Sequence, residues 1–109
     1  SNQLSKLEEI AFRENDVLAH YYLALVYFYS GRYEDVENTL EKIRSLIPND
    51  ISVEVIDLMN LRAQNKSEYR IKAITLGEML STNQYWEILP YSPDLEKLVK
   101  KIIETGGAL

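Results

Sequence analysis

The chain of 109 residues has no cysteine, which excludes a disulfide framework, a thiol nucleophile and a cysteine-ligated zinc site. That absence says nothing about compartment, because reducing and oxidising settings tolerate it equally. Proline and glycine are scarce, three and four respectively, and a turn-rich β architecture needs more of both. Basic charge is also short: twelve Lys and Arg against seventeen Asp and Glu leave a net charge of −5. Neutralising phosphates takes a basic patch that these totals argue against, so nucleic acid is not expected as a partner. No apolar run reaches the roughly 20 residues that span a bilayer. The longest candidate lies in "HYYLALVYFYSGRYEDV", where nine of ten positions from 20 to 29 are apolar or aromatic before the break at Ser30-Gly31. No membrane span is therefore expected. The opening "SNQLSKLEE" has no basic start followed by an apolar stretch, so a signal peptide is not expected and a cytoplasmic setting is the default. Ser1 and Asn2 have the look of a cloning remnant, and the chain that of a piece from a longer protein.

What is present is ordinary globular composition, 46% hydrophobic and 27% charged, enough for one domain over 1–109 with one core. Apolar residues at helical spacing predict six helices. The first covers roughly 4–13 through Leu4, Leu7, Ile10 and Ala11. The second runs from Val17 to Tyr29, with Asn15-Asp16 as its N-cap and Gly31 where a left-handed residue ends a helix. A third carries Tyr33, Val36, Leu40 and Ile43 on one face, then Leu46 or Ile47, and stops at Pro48. Asp50 caps a fourth from Ile51 to about Gln64, with Asn65 ending it. Ser67 caps a fifth bearing Ile71, Ile74, Met79 and Leu80, with Gly77 a weak point near its middle. A short turn of helix is expected near 85–89. The last helix has Ser92 as N-cap, Pro93 and Asp94 in its first turn and Gly106 past its end. Its stripe of Leu95, Leu98, Val99, Ile102 and Ile103 must be buried. No alternating strand pattern is present, so the fold class expected is all-α.

Residues 17–50 form a unit whose length and spacing resemble the tetratricopeptide repeat (TPR). His20 stands in the Trp slot, Leu23 and Ala24 in the Leu-Gly slots, Tyr27 in the Tyr slot, Val36 for the small residue, Leu40 for the Phe, and Pro48 closes the unit. Gly31, Tyr33 and Asn49-Asp50 are similar too. "KLEEIAFREND" resembles the second helix of a preceding unit. Residues 51–84 have the length of a further unit, but Asp57 and Leu58 fill the Leu-Gly slots and the small residue moves to Ala73. "ILPYSPDLEKLVKKI" resembles the closing helix of such arrays. The resemblance implies an array of antiparallel helix hairpins with a C-terminal closing helix, in which stacking buries opposite sides of a middle helix.

Packing does not absorb every apolar residue of the second helix. Leu18, Tyr21, Leu25, Phe28 and Tyr29 form a second stripe, and the resemblance implies that this face lines a concave, partner-binding groove. The equivalent positions of the next unit are Ser52, Val55, Met59, Arg62 and Ala63. Three occupants are open: the chain's own closing segment with Tyr85, Trp86 and Tyr91; a partner protein's helix or extended peptide; or a second copy in a homodimer. Tyr21 and Leu25 stand where some members carry polar residues that hold a partner's C-terminal carboxylate, so that mode is not expected.

Catalytic signals are absent. His20, the single histidine, has no carboxylate at ligand spacing and reads as a packing residue. Glu34, Asp35, Glu37 and Glu41 read as a solvated face and not as a cation site. Lys97, Lys100 and Lys101 read as the wet side of the last helix. There is no glycine-rich phosphate loop, Ser-His-Asp set or catalytic carboxylate pair, so no enzyme activity, cofactor or metal is expected. The functional expectation is a protein-interaction module. The alternative is a structural or oligomerisation domain whose aromatic strip is covered.

Overall fold

The computed structural model describes residues 2–82 and 93–104. Six helices follow in order: α1 Asn2–Glu14, α2 Val17–Tyr29, α3 Tyr33–Leu46, α4 Ile51–Ala63, α5 Glu68–Thr82 and α6 Pro93–Glu104. No strand occurs among the described residues, and the chain is an all-α helical array. The turn expected near 85–89, the Ser92 cap and Gly106 lie outside the described residues, as do the side chains of Leu95 and Ile103.

Local chemistry sets the helix ends. Asp16 accepts a hydrogen bond from the Ala19 amide at 3.1 Å, and Asp50 Oδ1 accepts one from the Ser52 amide at 2.8 Å, so α2 and α4 each begin on an aspartate cap. Both helices end in the same motif. The Gly31 and Arg32 amides return to the Phe28 and Tyr27 carbonyls, and the Asn65 and Lys66 amides return to those of Arg62 and Leu61. This pair of bonds needs a left-handed residue in the turn, supplied by Gly31 at φ 74° and Asn65 at φ 54°. Asn15 and Asn49, at φ 54° and 60°, play that part ahead of α2 and α4. The left-handed positions thus fall in two pairs, 15 with 49 and 31 with 65, each separated by 34 residues.

A side chain at Gly31 would meet nothing within 4 Å, so the constraint there is torsional. Gly31→Ala is expected to cost about 1 kcal/mol, while Asn65→Gly should gain a few tenths of a kcal/mol. Urea midpoints would read both.

Each of the first four helices packs on the next across a connection of two to four residues, and α2 also touches α4. Leu7 and Ala11 of α1, Leu23 and Ala24 of α2, and Val36, Leu40 and Ile43 of α3 are fully buried in one cluster. The last helix forms as its stripe requires, with Leu98 and Ile102 buried and Lys97, Lys100 and Lys101 exposed. The stripe does not say where the helix docks. It packs against α1 and α2 and, among the described residues, not against α5. There α2 packs against α1, whose Leu4, Leu7 and Ala11 are buried, and Leu98 and Ile102 of α6 join the same core cluster. At the other end α5 packs on α4 alone among the described residues and buries only Leu76.

Candidate functional site

α2 and α4 have 13 residues each, begin 34 residues apart at Val17 and Ile51, and touch one another. The expected strip divides in two. Leu18, Leu25 and Phe28 are partly buried and packed against the core. Tyr21 is 1% exposed and is removed from any exposed surface. Its phenol reaches the start of α4, towards Asp50, Ser52 and Val53. Burial, then the neighbouring Asp50, pushes its hydroxyl pKa well above the ordinary value. The two groups approach without a hydrogen bond of regular geometry: Tyr21 Oη and Asp50 Oδ2 are both buried and unpartnered. Tyr21 therefore belongs to the seam between α2 and α4.

The remainder is accessible. Tyr29 is 67% exposed, Val55 and Arg62 are exposed, and Met59 is partly so. Phe28 meets Tyr29 edge-on at a centroid distance of 5.4 Å and lies 6.2 Å from Tyr33. An aromatic corner of Phe28, Tyr29 and Tyr33 thus closes the C-terminal end of α2.

The other flank of α2 faces α1. Tyr27 donates a short hydrogen bond to Glu8, and the Arg32 guanidinium lies 4.5 Å above the Tyr27 ring. Burial, followed by the Glu8 carboxylate, raises the Tyr27 pKa. His20 is fully buried, its Nδ1 donating to the Asp16 carbonyl at 2.7 Å and its ring meeting Phe12 at 6.0 Å. That is a packing geometry.

A charge network escaped the sequence reading. Arg44 of α3 pairs with Glu54 at 2.9 Å and Asp57 at 3.1 Å on α4, and with Glu41 at 2.8 Å on its own helix. Lys72 of α5 reaches the same two acids. Glu41, read as part of a solvated face, is exposed but paired. Burial opposes ionisation of Glu54, yet hydrogen bonds from Lys72 and Arg44 outweigh it and hold the pKa below its ordinary value. Burial likewise works against the Arg44 charge and is outweighed by Glu54 and Asp57, so its pKa rises. The signal was available: Glu54 and Asp57 sit one turn apart with no basic residue four positions away on α4. The network ties three helices together, and its charges are satisfied by each other.

Among the described residues no three His, Asp or Glu side chains converge for a metal, and no helix is long and apolar enough to cross a membrane. The depression between α4 and α5, lined by Arg62, Asn65, Lys66, Ser67, Tyr69 and Arg70, is open and holds no enclosed nucleophile or base. No family model, curated protein or solved structure matches this chain. What the chain does must then be read from its own surfaces.

Proposed function

We propose that this chain is a non-catalytic protein-interaction module of tetratricopeptide-like hairpins, which takes a protein or peptide segment along the α2–α4 face. The observation that carries the reading is that Tyr29, Val55 and Arg62 are exposed and Met59 partly so, on two helices that pack together. Aromatic and Met side chains offer contact area with adaptable packing, and a flanking guanidinium offers an anchor for an acidic or carbonyl group. The recurrence of left-handed turns and aspartate caps at the repeat length supports the repeat reading. No cofactor, nucleic acid or membrane is part of it.

The test is a peptide-display selection against the folded chain, repeated on Tyr29→Ser with Val55→Ser. The double variant should keep its urea midpoint to within about 1 kcal/mol of stability, because both side chains are exposed. Selected peptides should bind it about tenfold or more weakly, the scale expected when an aromatic anchor is lost. Peptides that bind both proteins equally would place the partner elsewhere. A second reading, a structural segment whose strip is internal, draws support from the burial of Tyr21; a double variant that melts far lower would favour it.

A further inference from the structure

α5 has one partner, α4, among the described residues and turns a second apolar face outward: Ile71 is 70% and Ile74 65% exposed. Arg70, Gly77, Glu78 and Ser81 are exposed as well. At about 100° per residue, Arg70, Ile74 and Glu78 form one row, with Ile71 on one side of it and Gly77 on the other. Arg70 and Glu78 enter none of the ion pairs among the described residues. A glycine in mid-helix costs about 1 kcal/mol relative to alanine, and packing against α4 does not require it, since a side chain there would meet nothing within 4 Å.

We propose that this face is a self-complementary interface through which two copies of the chain pair, α5 antiparallel to α5, about a two-fold axis beside Ile74. In such an isologous contact each residue meets the one equally far beyond the axis. Arg70 then meets Glu78 of the second copy, and Glu78 its Arg70, giving two reciprocal ion pairs. Arg70 and Gly77 share one edge of the contact, so Arg70 passes over Gly77 of the second copy, where no side chain stands, to reach Glu78, while Ile71 on the other edge packs along the aliphatic part of that glutamate. Ile74 packs on its own counterpart, and Ser67 falls opposite Ser81. Parallel pairing would set arginine against arginine and glutamate against glutamate, which selects the antiparallel form. A helix of 15 residues is only about 22 Å long, so the area is at the small end for a specific interface and the dimer is weak and concentration-dependent. This surface is separate from the α2–α4 face and stands or falls without it.

The charges give the test. Sedimentation equilibrium at low salt, from about 10 µM to about 1 mM chain, a range suited to a weak dimer, should show the mass rising towards twice the monomer. Arg70→Glu alone and Glu78→Arg alone each bring two like-charge contacts into their own dimer and should weaken it about tenfold or more. Mixed in equal amounts, the two variants should pair with each other, because every contact in the mixed dimer is again opposite in sign. Both changes suit the helix dipole, acid near its start and base near its end, so both variants should stay folded. Ile74→Lys should be monomeric with its urea midpoint kept. The proposal is overturned by a wild-type chain that stays monomeric throughout. It is equally overturned by a dimer indifferent to the single charge changes, by single variants that fail to pair when mixed, or by an Ile74→Lys chain that melts far lower because its own remaining segments cover this face.

Discussion

Leu23→Asp is expected to cost about 4 kcal/mol or more. The side chain is fully buried on α2 within the cluster that joins it to Leu7, Ala11, Val36 and Leu40. The substitution removes that apolar contact and leaves a carboxylate with no cation to meet it. Against a typical domain stability of roughly 5–15 kcal/mol, this is enough to threaten folding. With a urea slope of about 1–3 kcal/mol per molar, the midpoint should fall by about 2 M. Phe12→Asp makes the control, since Phe12 is 61% exposed and meets the His20 ring at a steep angle with centroids 6.0 Å apart; it should cost about 1 kcal/mol or less. Similar midpoints for the two variants would mean that α2 is not sandwiched, and the array would have to be rebuilt around another helix.

The second large effect belongs to the charge network. Glu54→Gln should destabilise by about 2 kcal/mol at neutral pH, because it removes the carboxylate that Arg44 and Lys72 share and leaves Asp57 as the one acid of α4 facing both cations. The Glu54 side chain is only 15% exposed, so water replaces little of the loss. The pH dependence has a defined sign. The folded-state pKa of Glu54 lies below its ordinary value of 4.5, so its contribution is complete above that value and is lost as the pH falls through the folded pKa. The stability gap between wild type and Glu54→Gln should be constant from about pH 6 to 8 and shrink below about pH 4.5. A gap that persists unchanged at pH 3 would show that the carboxylate's charge contributes nothing and that shape alone matters there.

How much of this was legible in the residues differs from element to element. Asp16, Gly31, Asp50 and Asn65 mark helix ends correctly because a cap or a left-handed turn is satisfied by neighbours a few positions away. The stripe of the last helix announces a buried face for the same reason. The candidate strip was legible only in part. Leu18, Leu25, Phe28 and Tyr29 share one spacing, yet their exposures differ, and Tyr21 in their midst is buried against Asp50. Spacing says which side of a helix a residue is on, but not how far the next helix reaches across it. The acids of α4 could be seen to lack partners on their own helix. That Arg44 and Lys72 would supply them from two neighbours could not.

The amino-acid pattern alone was sufficient for the all-α class and for six helices and most of their boundaries, since each of these follows from contacts within a turn or two of the chain. Three matters waited on the packed molecule: where α6 docks, which aromatics stay in solvent, and which charges meet. Each depends on groups far apart along the chain, and an amphipathic helix of given stripe fits more than one apolar cleft equally well. The cleft that α6 enters is the one between α1 and α2, where Leu98 and Ile102 join the cluster formed by Leu7, Ala11 and Leu23.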